Sequence, residues 1–196
     1  MTTTPTTARV VRSYPLGHPS VRPLLDELAA EYAARYGDHF GPDALRQELE
    51  RYPAAQFTRP DGDLILLLED GVAVAGGAFR LRAEPELGDA ALLSRAGTRD
   101  ERGLPTVRTA EYKRIWTSAA HRRRGLAREV LASLDARAAA LGYERLYLTT
   151  GPRQPEAAAL YLSTGWTPLF DTSLEPEEIG PLAFEKWLCP EPSPQP

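Results

Sequence analysis

The sequence has few of the features by which several common protein classes are identified. Its single cysteine, Cys189, excludes an intrachain disulfide and makes a reducing, cytoplasmic location the expectation. No apolar run approaches the roughly 18 residues of a membrane-spanning helix, so no contact with a membrane is expected. The three histidines are scattered, so the sequence predicts no metal site. It also contains neither the G-x-G-x-x-G fingerprint of dinucleotide binding nor a nucleotide-binding P-loop.

Charge and composition limit the remaining classes. The formal net charge is -4, which gives no general attraction to nucleic acid, and no nucleic-acid partner is expected. Hydrophobic residues make up 42% of the 196 residues, enough for one domain with a sizeable core. We predict that this domain spans residues 9–188, between a disordered lead (1–8) and a proline-rich tail (189–196). Residues 83–108 are polar with several glycines and prolines, and we predict a long loop there.

Apolar periodicity and turn residues predict the element order β-α-α-β-β-β-α-β-α-β-β. The predicted strands cover residues 9–14, 64–68, 72–82, 109–117, 145–149, 166–170 and 182–187. The predicted helices begin at the cap Ser20, at Gly41, at Gly125 and at Gln154, and end near Gly37, Tyr52, Leu141 and Thr164. Antiparallel hairpins come first, and a parallel βαβ unit lies in the middle. This order predicts an α/β fold with a mixed, strongly twisted sheet and helices on both faces.

One strand-turn-helix segment carries the strongest indication of chemistry. A strand that ends at Thr117 is followed by a short basic turn and by a helix that starts at Gly125. The first N–H groups of a helix have no intrahelical acceptor and carry partial positive charge, which makes a helix start an anion site. Arg122, Arg123 and Arg124 add positive charge beside it. These residues predict a binding site for a diphosphate; a solvated basic surface patch is the alternative.

Two motifs resemble those of a known family, the GNAT acetyltransferases. Residues 122–127, Arg-x-x-Gly-x-Ala, are similar to the family's Gln/Arg-x-x-Gly-x-Gly/Ala signature. Residues 161–166, Tyr-x-x-x-Gly-Trp, are similar to the family's helix end Tyr-x-x-x-Gly-Phe/Tyr. The motifs lie on the appropriate elements, and the resemblance covers about residues 9–188. It implies an acetyl-CoA-dependent enzyme whose fourth strand bulges and splays from the fifth, leaving a V-shaped slot in the centre of the sheet.

The resemblance also implies where acetyl-CoA, the acyl donor, would bind. Its pantetheine arm would pair with the backbone of Ile115, Trp116 and Thr117 in the slot. Its pyrophosphate would lie on the amides that follow, those of Arg122, Arg123, Arg124, Gly125, Leu126, Ala127 and Arg128. Residues 150–156 depart from the family, because they lack the asparagine that many members carry near the start of the next helix. The coenzyme contact of that asparagine is therefore not predicted here.

The chemistry requires a base and an acid, and two residues match the family's positions for them. An alkyl ammonium acceptor has a pKa near ~10.4 and must lose a proton before it attacks, which Glu111 could accept directly or through water. The alternative for Glu111 is a structural ion pair with Lys113 or with a cross-strand cation. Tyr161 corresponds to the family's general acid for the departing thiolate. The alternative for Tyr161 is a core aromatic residue with a satisfied hydroxyl group.

We therefore predict an N-acetyltransferase that moves an acetyl group from acetyl-CoA to an amine of a small molecule by direct attack. Tyr36, His39 and Phe40 correspond to the segment that lines the acceptor site in the family, with ordinary loop residues as the alternative. Three other functions stay open: a non-catalytic acyl-CoA-binding module, an acyltransferase with another acyl-CoA, and an enzyme that modifies a protein amine. Homodimers are common in the family, so a second copy of the chain is a further expected partner.

Overall fold

The computed structural model of the protein describes residues 8–37, 51–84, 101 and 107–188. The strands of this part of the chain are β1 Arg9–Ser13, β2 Asp63–Glu69, β3 Val72–Leu81, β4 Thr109–Thr117, β5 Arg145–Thr150, β6 Thr167–Pro168 and β7 Leu182–Trp187. Its α-helices are α1 Arg22–Tyr36, α2 Leu126–Ala140, α3 Pro155–Leu162 and α4 Pro176–Ile179. All seven of these strands form one sheet in the spatial order β1-β2-β3-β4-β5-β7-β6. The predicted α/β class is confirmed.

The sheet is mixed because one pair of neighbouring strands is parallel. β4 and β5 run parallel, and the other neighbouring strands of the described sheet are antiparallel. β4 and β5 pair only from Thr109, opposite Arg145, to Glu111, opposite Tyr147, and then diverge. β5 remains paired with β7 along its whole length. The split in the middle of the sheet that the resemblance implies is therefore present.

Two apolar cores lie on opposite faces of the sheet. Side chains alternate along β2, so Ile65 and Leu67 belong to the core under α2 and α3, whereas Leu64 and Leu66 belong to the core under α1. Every residue of β2 is buried, which explains why its sequence is an almost continuous apolar run. The helices bury the faces that helical spacing predicts, namely Leu24 and Leu28 of α1 and Leu126, Val130, Leu131, Leu134 and Ala138 of α2.

The predicted cap of the first helix is wrong. Ser20 lies inside a short 3-10 turn, Pro19–Val21, and α1 begins after Val21 without a side-chain cap. The Ser20 N–H instead donates to Nδ1 of His18 at 3.2 Å. A 3-10 turn that runs directly into the helix leaves Ser20 too early in the chain to bond the first free N–H groups of α1.

Two details near the end of the sheet also differ from the prediction. The strand predicted over residues 166–170 is reduced to Thr167–Pro168, because the Trp166 N–H bonds the Tyr161 carbonyl oxygen and so belongs to the turn that ends α3. The helix α4 has no counterpart in the prediction, since four residues are too few to show helical periodicity.

Several predictions fall on residues outside the described part of the chain. The helix predicted to begin at Gly41 lies mostly there, and its predicted last residue, Tyr52, lies in a bend before the 3-10 turn Ala54–Phe57. The terminal segments 1–7 and 189–196, and the predicted loop over 85–100 and 102–106, are likewise outside it. The domain limits therefore stay predictions.

A bulge in β4 adjoins the point where β4 and β5 diverge. The register with β3 shifts between Gly76 and Ala78, so that Arg114 and Ile115 lie opposite the single residue Gly77. Arg114 has a φ of 59°, in the left-handed region that a bulge can impose. A Cβ on Gly77 would lie 2.7 Å from Cδ1 of Ile115. The side chain of Ile115, one of the bulge residues, therefore occupies the space that a Cβ at position 77 would need.

Gly77→Ala is expected to lower the free energy of unfolding by about 1–3 kcal/mol, because its methyl group would overpack against Ile115 and against α2. Gly17→Ala is the matched control, since nothing lies within 4 Å of its Cβ position. Its stability should be unchanged or slightly higher. Urea unfolding of the two variants measures the difference, and equal stabilities would contradict the close approach at Gly77.

Candidate active site

A cleft of about 1130 Å³ opens where β4 and β5 diverge. Its walls come from residues 112–117 of β4, from residues 122, 123 and 125–128 of the turn and helix start, and from residues 148–150 of β5. Residues of α1, of α3 and the loop before it, and residues 177, 180 and 181 add to the lining. This volume suits a ligand as large as a nucleotide-bearing coenzyme.

The edge of β4 that faces β5 is available to a ligand. Ile115, Trp116 and Thr117 line the cleft and lie beyond Glu111, the last residue of β4 that pairs with β5. The Thr117 Oγ1 atom is buried and has no hydrogen-bond partner in the described part of the chain. Buried polar groups are almost always hydrogen-bonded. A ligand with amide groups, as in a pantetheine arm, fits this strand edge.

The start of α2 forms the second wall of the cleft. Gly125 is the N-cap residue, with a φ of 78°, and no side chain caps the helix. The first N–H groups of α2 therefore have no intrahelical acceptor, and their partial positive charge favours an anion. Of the sequence-predicted residues in this segment, the cleft is lined by Arg122, Arg123, Gly125, Leu126, Ala127 and Arg128. The arrangement is that of an anion cradle.

The three consecutive arginines have different surroundings. Arg122 lines the cleft and pairs with Glu31 of α1 at 2.7 Å, and Arg123 lines the cleft beside it. Arg124 does not line the cleft, because its guanidinium forms two hydrogen bonds of 2.8 and 3.0 Å with Glu69 of β2. The hydrogen bond from Arg124, together with one from Arg9, lowers the pKa of Glu69. The side chain of Arg124 therefore does not join the predicted diphosphate site.

Tyr161 lines the cleft from α3 and is only 6% exposed. Its ring packs against Trp166 and Phe184, with centroid distances of 5.9 and 5.6 Å. Burial raises the pKa of Tyr161 above its ordinary value, and the neighbouring Tyr32 adds to this effect. The phenol is therefore protonated at neutral pH, which is the state that a proton donor requires.

Glu111 lies one residue before the divergence, and its carboxylate is bound by cations. Its oxygens lie 2.5 Å from Arg80 and 3.0 Å from both Arg82 and Lys113. Glu111 is 1% exposed, and it is not among the residues that line the cleft. Of the two roles that the sequence leaves open, these contacts favour the structural ion pair. The role of base stays a prediction.

The end of α1 is joined to the loop between β5 and α3 beside the cleft. The Tyr36 hydroxyl accepts a hydrogen bond of 3.0 Å from the Arg153 N–H, and Tyr36 lines the cleft. Arg35 donates to the Arg153 carbonyl oxygen at 2.5 Å and pairs with Glu156 of α3. His39 and Phe40, the other predicted acceptor-site residues, lie outside the described part of the chain.

Gln154 occupies the N-cap position of α3, near where many GNAT members carry an asparagine. Its Oε1 atom accepts hydrogen bonds from the Thr150 hydroxyl at 2.6 Å and from the Gly151 N–H at 3.3 Å. Gln154 is 9% exposed, although it lines the cleft. Its carbonyl oxygen is thus used to stabilise the turn that leads out of β5.

Glu27 of α1 is a site residue that the sequence analysis does not identify. Its carboxylate accepts hydrogen bonds from Trp116 Nε1 at 3.0 Å, from the Ala119 N–H at 2.9 Å and from the Ser118 hydroxyl at 3.3 Å. These donors span the end of β4 and the start of the basic turn. In the sequence, the only indication of this role is the position of Glu27, which lies one helical turn before Glu31 and beside the apolar residues of α1.

The sequence matches a known protein-family model. The model of the acetyltransferase (GNAT) family matches residues 23–166, which is most of the chain. This range includes α1, the cleft strands β4 and β5, the start of α2 and Tyr161. No curated protein matches the chain in sequence.

Solved structures with the same fold include several acetyltransferases. A GNAT-family acetyltransferase from Staphylococcus aureus is 12% identical, with a TM-score of 0.58 over 93% of this chain and 100% of the other. The PaiA N-acetyltransferase from Thermoplasma acidophilum, solved with coenzyme A, is 10% identical, with a TM-score of 0.60 over 92% and 99%. A GNAT acetyltransferase from Elizabethkingia anophelis, solved with acetyl-CoA bound, is 13% identical, with a TM-score of 0.50 over 91% and 97%. At these identities the likeness concerns the fold.

The described residues include neither a membrane-spanning helix nor a metal-binding cluster. None of the helices in this part of the chain combines the length and the apolar character needed to cross a membrane. The same residues contain no group of three or more His, Cys, Asp and Glu side chains that could hold a metal ion.

Glu27→Ala is expected to lower the free energy of unfolding by about 1–3 kcal/mol, because it leaves the buried indole N–H of Trp116 without its acceptor. Glu27→Gln keeps one acceptor oxygen and should lose less. Asp26→Ala is the control, since Asp26 is exposed and forms a surface ion pair with Arg22, at a distance of 3.7 Å, that contributes little stability. Denaturant unfolding followed by tryptophan fluorescence measures all three, and equal losses for Glu27→Ala and Asp26→Ala would contradict the role of Glu27.

Proposed function

Because this chain belongs to the GNAT acetyltransferase family, we propose that it transfers the acetyl group of acetyl-CoA to the amine of a small molecule. The observation that carries this proposal is the continuity of the cleft. An open strand edge at Ile115–Thr117 leads to an uncapped helix start at Gly125. These two features match an amide-bearing arm and a diphosphate, which are joined in coenzyme A.

The residues at the helix start would hold the diphosphate of acetyl-CoA. Arg122 and Arg123 add charge beside the N–H groups at the start of α2, where that of Arg128 is already bonded to the Gly125 carbonyl oxygen at 3.1 Å. The pair that Arg122 makes with Glu31 is partly exposed, so a diphosphate can compete for this guanidinium at modest cost. Acetyl as the acyl group is supported by the family and by the relative from Elizabethkingia anophelis that was solved with acetyl-CoA.

The reaction is a direct attack of a neutral amine on the thioester carbonyl carbon. The new C–N bond forms, the C–S bond breaks, and the departing thiolate takes up a proton. Tyr161 is the proposed donor of that proton, since it lines the cleft and its pKa is raised by burial. Glu111 stays the predicted acceptor of the amine proton. Because its side chain lies outside the cleft lining, the proton would reach it through water.

Coenzyme binding tests the proposal directly. Arg123→Met is expected to weaken the affinity for coenzyme A roughly tenfold or more, since it removes a charge-assisted contact. Arg124→Met is the matched control, because this side chain is bound to Glu69 and its loss should change affinity by less than about twofold. Titration calorimetry measures both affinities.

The transfer itself is tested by thiol release from acetyl-, propionyl- and succinyl-CoA with a panel of amines. The expected result is turnover of at least one small amine, with acetyl-CoA the best donor. Binding of coenzyme A without turnover of any amine would reject the proposed transfer. An absence of coenzyme binding by folded protein would reject the assignment of the cleft.

Tyr161→Phe is expected to lower kcat by about 10²-fold or more while the affinity for coenzyme A is kept, because only the proton donor is lost. The raised pKa of Tyr161 sets the sign of the pH dependence. Because burial raises the pKa of Tyr161, the wild-type phenol keeps its proton up to a higher pH than an ordinary tyrosine does. A fall in kcat caused by the loss of this proton is therefore expected only above the ordinary pKa of tyrosine.

Tyr143→Phe is the control for Tyr161→Phe. Tyr143 is also a buried tyrosine, but its hydroxyl donates to the Asp61 carbonyl oxygen and it does not line the cleft. This variant should keep its kcat. A wild-type kcat in Tyr161→Phe would instead assign Tyr161 to the core alone.

A further inference from the structure

Two cations line the cleft near the point where β4 and β5 diverge. Lys113 and Arg114 follow Glu111, the last residue of β4 that pairs with β5. Thr117, at the other end of the strand edge, is four residues away, which is at most roughly 13 Å because the bulge at Arg114 shortens this stretch. A coenzyme whose diphosphate lies at the start of α2 therefore directs its acyl end toward Lys113. The acceptor amine must approach the same end.

The carboxylate of Glu111 is shared by three cations, of which Arg80 also pairs with Glu84 at 2.8 Å. Arg80, Arg82 and Lys113 all lie within 3.0 Å of its oxygens. The side chains of the two arginines are 2% and 6% exposed, whereas that of Lys113 is 18% exposed and lines the cleft. Separating a buried charge from its partner costs more than separating an exposed one. Lys113 is therefore the partner that can most easily turn to another anion.

Tyr52 and Glu111 hold the ammonium group of Lys113 in place. Its Nζ atom lies 5.1 Å from the centre of the Tyr52 ring and 3.0 Å from a Glu111 oxygen. An ammonium group has three N–H donors, and a single hydrogen bond to Glu111 uses one of them. The remaining donors can bind an anionic group within the cleft.

We propose that the acceptor is an amine that also carries a carboxylate, as an amino acid does, and that Lys113 binds this carboxylate. This inference rests on the proposed function. A second ammonium group, as in a polyamine, would instead be repelled by Lys113 and by the adjacent Arg114. A phosphate would carry more negative charge close to Glu111, so the single charge of a carboxylate fits better.

Matched acceptors test the proposal. Thiol release from acetyl-CoA is measured with an amino acid, with its decarboxylated amine and with its neutral amide. One such set is phenylalanine, phenethylamine and phenylalaninamide. A second set is lysine, cadaverine and lysinamide. The expected kcat/KM of an amino acid exceeds that of its decarboxylated amine by roughly 10- to 100-fold. The amide should behave like the amine, because it has the size of the acid without its charge.

Lys113→Met tests which residue is responsible. This variant keeps the length of the side chain and removes its charge, while Glu111 keeps both arginines. In Lys113→Met, the ratio of kcat/KM between the acid and the amine should fall about tenfold or more, because the KM for the acid rises. Lys113→Arg should largely restore this ratio. Lys186→Met is the control, since Lys186 binds Asp135 and the Thr164 carbonyl oxygen outside the cleft lining. It should leave the ratio unchanged.

The outcomes separate this proposal from the proposed function. Turnover in which decarboxylated amines or polyamines are the better substrates would overturn the carboxylate preference and leave the transferase intact. A ratio that Lys113→Met does not change would overturn the role of Lys113. Coenzyme binding without turnover of any acceptor would overturn the proposed function itself.

Discussion

The site depends on a departure from regular sheet pairing, the divergence of β4 from β5 after Glu111. Hydrogen-bonded strands lie about 4.8 Å apart, which leaves no space for a ligand between them. Each strand keeps a partner on its other side, since β4 pairs with β3 and β5 pairs with β7. The cleft therefore removes only the hydrogen bonds that β4 and β5 would share beyond Glu111. A ligand with its own amide groups can replace them.

The helix α1 aligns the parts of the cleft through one of its faces. Glu27 binds the end of β4, Glu31 pairs with Arg122 one turn later, and Arg35 reaches Glu156 of α3 after another turn. The pair between Arg122 and Glu31 is partly exposed and contributes little stability. The three-donor contact of Glu27 is more consequential, because it includes the buried indole of Trp116. α1 thus positions the basic turn and contributes to one wall of the cleft.

Much of the fold and part of the site could be predicted from the sequence. Leu126 to Ala138 repeat at helical spacing, and Gly125 precedes them, so the start of α2 is visible from neighbouring residues alone. The three arginines before it look equivalent in the sequence. In the structure, Arg124 donates a hydrogen bond to Glu69, which lies 55 positions earlier in the sequence. No local pattern could have distinguished it from Arg123.

The sequence by itself determined the order of the described strands, the buried faces of α1 and α2 and the start of α2 after Gly125, because these features arise from residues close to each other in the chain. The tertiary structure decided which charges meet. The Trp116 indole donates a hydrogen bond to Glu27, which lies 89 positions earlier in the sequence, and Glu111 is bound by Arg80 on the neighbouring strand. Such pairs depend on strand register and on the place where β4 and β5 part, and both are set by packing across the whole sheet.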